Sequence, residues 1–111
     1  MIFSKFFKPK WQHKEASVRV LAINEELSVG NSEHEVILQK LLKEDASELV
    51  QRAVLLKFNQ FELWLDNAKS NSRQKLKEYC QKQVKQILAD EHEIRLTSQE
   101  KQTYLGGIEK S

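Results

Sequence analysis

ASVRVLAINEEL (residues 16–27) and SELVQRAVLLKF (residues 47–58) read as two versions of one phrase. Val18, Ala22, Ile23 and Leu27 superimpose on Leu49, Ala53, Val54 and Phe58 at a constant offset of 31, each time with a small alanine between large apolar side chains at helical spacing. A fainter third copy runs through Leu76, Cys80 and Val84 at an offset of 27, with the cysteine in the small-residue slot. Helix pairs recurring every ~30–45 residues are the mark of α-solenoids, in which one pair cannot bury its apolar stripe until a neighbour stacks on it. The competing architecture is a plain helical bundle whose alanines and leucines agree by chance.

Start signals surround these phrases. Ser32/Glu35, Asp45/Glu48, Asn59/Glu62, Asn71/Gln74 and Thr97/Glu100 each place a side-chain acceptor three residues before an acid or amide, the pattern of a capping box. An apolar set at helical spacing follows most of them: Val36, Ile37, Leu41 and Leu42; Leu49, Val50, Ala53, Val54 and Leu56; Phe61, Leu63, Trp64, Leu65 and Ala68; Leu76, Tyr79, Cys80, Val84, Ile87 and Leu88. With the segment Val18–Leu27 and a turn around Ile2–Phe7, six or seven helices joined by short loops are expected. Gly30, Gly106, Gly107 and Pro9 are the only glycines and proline, all outside the periodic stretches, so tight hairpins are scarce and an all-α fold is expected.

At 111 residues the chain has the length of one domain with a modest core. Forty per cent apolar and 31% charged residues are too apolar for a disordered polyampholyte and too charged for a membrane span. The net charge of +2 is blocked: residues 1–14 carry four lysines and no acid, 15–68 five bases and ten acids, and 69–85 six bases and one acid. Cys80 is alone, so no internal disulfide can form, and with no stretch of signal-peptide length a cytoplasmic setting is expected.

Residues 13–22, HKEASVRVLA, resemble the acid-x-x-Val-Arg-x-x-Ala signature of HEAT-like (armadillo-type) repeats through Glu15, Val18, Arg19 and Ala22. The second copy keeps an acid at Asp45 and the small residue at Ala53 but has Val50 in place of arginine. The resemblance implies a right-handed α-α superhelix of about three helix pairs. More specifically, FFKPKWQHK (residues 6–14) and LKFNQFELW (residues 56–64) resemble the amino-terminal region of long bacterial proteins of a domain-of-unknown-function family. That implies a longer parent chain, entered through a helix over residues 97–105 that ends at Gly106-Gly107. The expected organisation is an aromatic and basic cap over residues 1–14, repeats over 15–89, and a linker with the start of a further helix over 90–111.

No metalloprotease helix, phosphate loop, nucleophile elbow, dinucleotide fingerprint or paired-cysteine motif is present, and no catalytic residue, metal or cofactor is expected. Glu33-His34-Glu35 and Asp90-Glu91-His92-Glu93 mimic metal ligands, but consecutive helical residues do not converge on a point. Cys80, mid-helix, reads as a small buried hydrophobe. On the 69–85 helix, Lys75, Glu78, Lys82 and Lys85 fall opposite the Leu76/Cys80/Val84/Ile87 stripe, as a solvated face with Glu78 and Lys82 spaced to pair. Arg73 and Lys77 lie nearer its edge. Salt-dependent nucleic-acid binding through this helix is the alternative function, although no aromatic lies on the outer face for base stacking.

Ile2, Phe3, Phe6 and Phe7 with Lys5, Lys8 and Lys10 suit either a membrane interface or a cap on the first repeat; the shortness of the segment favours the cap. Trp11 and Trp64 read as packing residues. HEAT-like DNA glycosylases set aromatics and a carboxylate along a basic concave surface, which Trp64 and Asp66 imitate, but the acidic block 15–68 opposes a phosphate backbone. The function expected is therefore non-catalytic binding of a protein partner, or of the rest of a parent chain, with Arg19, Glu25, Glu26, Glu44, Glu48, Arg52, Arg73 and Lys77 as candidate contacts.

Overall fold

The computed structural model describes residues 9–110, and side chains through residue 105. A 3-10 turn at Lys10–Gln12 precedes six α-helices: α1 Ala16–Glu25, α2 Ser32–Glu44, α3 Glu48–Phe58, α4 Phe61–Ser70, α5 Gln74–Leu88 and α6 Ser98–Lys110. There is no strand among the described residues. The aromatic stretch at residues 2–7 lies outside them. The chain forms two compact units that meet in sequence at Phe58/Asn59, within the block read as a single run of repeats.

In the first unit α3 packs against both α1 and α2, and the 3-10 turn lies on α1. Of the four pairs at the offset of 31, Ala22, Ile23 and Leu27 and their counterparts Ala53, Val54 and Phe58 are all buried, whereas Val18 is half-buried and Leu49 is 61% exposed. Leu38, Leu41, Val50 and Leu55 complete this core among the described residues. Gln51 is buried beside them and donates through Nε2 to the Leu42 carbonyl at 2.7 Å, satisfying an acceptor that the last turn of α2 leaves open. Lys57 does the same for α1, reaching the Asn24 carbonyl at 3.2 Å. In the second unit α4 and α5 form a hairpin around Phe61, Trp64, Ala68, Leu76, Cys80, Val84 and Ile87. Trp64 is 1% exposed, packs its ring at 5.9 Å from Tyr79, and donates Nε1–H to Asn59 Oδ1 at 3.1 Å. The α6 helix is held by Tyr104, whose ring lies 4.5 Å from Phe61 and whose hydroxyl donates to Glu62 at 3.2 Å.

Helices begin within three residues of each expected start, but most of the expected caps do something else. Thr97/Glu100 is a reciprocal box: Glu100 N–H donates to Thr97 Oγ1 at 3.1 Å, and Thr97 N–H to Glu100 Oε1 at 2.9 Å. The cap of α2 is Asn31, which accepts from His34 N–H at 3.1 Å, while Ser32 is already helical and Glu35 accepts from Gly30 N–H at 2.6 Å. Gly30 makes that return possible at φ +100°, a conformation costly for any side chain. Asp45 accepts from Ser47 N–H at 2.9 Å and also from the Arg19 guanidinium. Asn59 stands at φ 47° between α3 and α4 and holds Trp64, and Asn71 turns the chain by accepting from Arg73 N–H at 2.8 Å. Asp and Asn serve turns as readily as caps, which is why the pattern marks helix boundaries without identifying the capping atom.

Three further corrections apply. Gly106 and Gly107 do not end α6, which runs on to Lys110. Val36 at 69% and Leu49 at 61% exposure are outward-facing, although both belong to apolar sets at helical spacing. Glu78 accepts from Gln74 Nε2 at 3.0 Å, and no ion pair joins it to Lys82 among the described residues.

Candidate interaction surfaces

The described residues form concave surfaces within each unit, three of which bear on function. Between α1 and α3 runs an apolar groove of about 490 Å³ floored by Val20 and Ala53 and edged by Leu21, Leu49 and Leu56. These three leucines are 49%, 61% and 48% exposed. The groove arises because α1 and α3 bury Ala22 and Ala53 and leave Leu21, Leu49 and Leu56 on uncovered outer edges. Arg52 lies at its rim, within 3.3 Å of Glu48 one helical turn earlier.

A second cleft, about 400 Å³, lies between the 3-10 segment and α2, lined by Trp11, Lys14, Lys40 and Glu44. Its wall is an ion pair largely removed from water: Arg19 donates from Nε and Nη2 to the two oxygens of Asp45 at 2.9 and 3.0 Å. Its Nη1 reaches the carbonyls of His13 and Lys14 at 2.7 and 3.0 Å. The planar guanidinium matches this set of acceptors as an ammonium would not.

In the second unit α4, α5 and Leu105 of α6 enclose a groove of about 270 Å³. On the outer side of α5, Lys75, Glu78, Lys82 and Lys85 are exposed, as the helical wheel anticipates, and Leu76, Cys80, Val84 and Ile87 are buried. Beyond α5, Asp90 at φ 60° accepts from Lys101 Nζ at 2.5 Å with Arg95 at 3.9 Å. The Lys101 ammonium bond holds the Asp90 carboxyl below its ordinary value, and the attraction of Arg95 acts in the same direction.

Comparison of the chain with protein-family models, curated proteins and solved structures returns no match.

The eight residues expected to contact a partner separate into distinct roles. Arg19 is committed to Asp45 and the 13–14 carbonyls. Glu26 lies 3.3 Å from Lys10, and Glu48 from Arg52. Glu25 and Glu44 are exposed, Glu44 on the Arg19 cleft. Arg73 and Lys77 are half-buried on the second unit. Among the described residues no three His, Cys, Asp or Glu side chains gather as a metal ion would require. His34 instead accepts from Ser28 N–H at 3.0 Å, and His92 accepts from Ile94 N–H at 3.0 Å while facing Gln83 at 2.9 Å. Trp64, sealed inside α4/α5, is no stacking platform beside the exposed Asp66. No helix among the described residues is long and apolar enough to cross a membrane.

Sequence reading missed the leucines of the first groove as a surface, because Leu21, Leu49 and Leu56 share the spacing of core residues. The available signal was crowding. Leu49-Val50, Val54-Leu55-Leu56 and Val20-Leu21-Ala22-Ile23 contain more large apolar residues than one helix face can bury.

Proposed function

We propose that the chain is a non-catalytic binding module, a HEAT-like stack of about three helix pairs that presents the α1/α3 groove to a protein partner. The observation that carries this reading is the row of half-exposed leucines, Leu21, Leu49 and Leu56, along a groove whose other wall residues are apolar or neutral apart from Arg52. Exposed apolar rows of this kind mark contact surfaces, since isolated leucines are common but aligned ones are not. The Glu48/Arg52 pair at the rim supplies orientation, as rim charges do. The resemblance to the amino-terminal region of long bacterial proteins favours a partner that is either a cytoplasmic protein or the remainder of a parent chain. The test is recovery of partners at moderate salt by the full chain and by Leu21→Glu/Leu49→Glu. A protein retained by the first and lost from the second is expected; identical recovery refutes the reading.

The alternative, nucleic-acid binding through residues 69–85, is favoured by one feature, the exposed row Lys75, Lys82 and Lys85. It predicts a mobility shift that collapses as salt rises, because phosphate contacts release counterions.

A further inference from the structure

The α4/α5 groove differs from the α1/α3 groove in its charge. Its floor is aliphatic, built from Leu65 and Ala68 on α4, Val84 and Leu88 on α5, and the 41%-exposed Leu105 of α6. Lys69 stands on the α4 wall and Lys85 on the α5 wall, and among the described residues no acidic side chain lines the space between them. Both lysines are exposed, and among the described residues neither has a carboxylate within ion-pair distance. Gln81 closes the floor by donating Nε2–H to the Ala68 carbonyl at 3.1 Å, so the polar backbone beneath is already satisfied and the surface left to a ligand is apolar.

We propose that this groove docks an acidic amphipathic helix of a partner protein, apolar side chains inserted between Lys69 and Lys85 and carboxylates flanking them on both sides. The dimensions fit side chains better than a free metabolite: about 270 Å³ lies below the ~300–1,000 Å³ usual for small-molecule sites. Two unneutralised cations on facing walls favour an occupant with negative charge along both edges, as an amphipathic helix carries. A nucleic acid fits less well, because the floor has no aromatic ring and offers aliphatic carbon where a phosphate backbone would lie. This site lies on a different unit from the leucine groove and does not depend on it.

The probe is a labelled 18-residue synthetic peptide with leucines at i, i+3, i+4 and i+7, glutamates beside them and alanine elsewhere, titrated against the full chain by fluorescence anisotropy at low salt. A matched peptide carries lysine in place of glutamate. The acidic peptide is expected to bind about tenfold tighter than the basic one, as two exposed charge pairs allow, and to weaken as salt is raised. Lys69→Glu/Lys85→Glu should invert that order, Lys69→Gln/Lys85→Gln should erase it, and Leu105→Gln should weaken both peptides. All of these positions are exposed, so the variants should keep the parent circular dichroism. Leu21→Glu/Leu49→Glu should leave acidic-peptide binding intact, which separates this proposal from the reading of the α1/α3 groove. An unchanged preference in the glutamate variant overturns the proposal. So does tighter binding of a single-stranded oligonucleotide or an anionic phospholipid vesicle that the same reversal abolishes.

Discussion

Replacing Arg19 with methionine keeps an unbranched apolar stem but removes the guanidinium that joins three pieces of the first unit: the segment at His13 and Lys14, helix α1, and the α2–α3 connection at Asp45. The side chains of Arg19 and Asp45 are only 14% and 6% exposed, so water cannot replace the lost partner well. Breaking such a pair from one side costs ~3–5 kcal/mol, chiefly through the carboxylate left behind. Asp45 keeps the Ser47 N–H at 2.9 Å, which places the expected loss toward the lower limit, about 3 kcal/mol. Against a total of ~5–15 kcal/mol this is a large fraction of the available stability, equivalent to a fall of roughly 12–24 °C in Tm for a small unit. Urea unfolding at constant m-value gives the size of the effect. Hydrogen exchange resolved on α1 and α3 should show that it falls on the first unit and spares α4 and α5. Arg19→Lys should recover only part, since an ammonium lacks the fork that meets both oxygens and both carbonyls. Arg19→Met/Asp45→Asn should cost less than the two single changes together. A loss under about 1 kcal/mol, the range of exposed ion pairs, would refute the assignment of Arg19 as the clamp of this unit.

The remaining expectations concern caps, core and charge. Asn31→Ala should cost ~1 kcal/mol by urea unfolding and Ser32→Ala much less, since Asn31 holds the His34 N–H; the reverse order would restore Ser32 as the cap. Cys80, fully buried, should react with a thiol reagent only at the rate of unfolding, and rapid labelling of the native chain would contradict its burial. Trp64→Phe should cost ~1–3 kcal/mol through a lost hydrogen bond to Asn59 and incomplete filling of the α4/α5 core, read by exchange on those helices; a neutral result would mean that the site closes up without penalty. Asp90 titrates below its ordinary value of 3.8, so its tie to Lys101 is complete above that pH and is lost as the pH falls through the lower native value. A carboxyl NMR titration should place the midpoint below 3.8, and a midpoint at or above it would show that Lys101 does not hold this group.

Periodicity carried the helical content of the chain well, and the fate of individual residues less well. Leu49 and Leu56 satisfy the same spacing as Val50, Ala53 and Val54, yet the former face outward, because α3 has two packing neighbours and a fixed angular width to bury against them. Gln51 shows the converse: a polar residue at an interior position, readable only once the Leu42 carbonyl is seen to end α2 against it. Arg19 was singled out from the sequence as a surface contact, whereas Asp45, 26 residues away, withdraws it into the fold. For the candidate sites, the exposed face of α5 was legible from a helical wheel. The grooves were not, since each is formed by residues from separate helices whose relative rotation no local pattern encodes.

The amino-acid sequence by itself determined that the chain is helical and roughly where its helices begin. Local steric and hydrogen-bonding preferences act over three to four residues, and those are the distances at which its patterns are clear. Only the tertiary structure decided which of several acceptors caps a helix, which leucines remain in water, and which lysines stand unopposed across a groove. Those outcomes follow from packing and desolvation between segments distant in sequence, which set the rotation of each helix about its axis and so the residues that face the core.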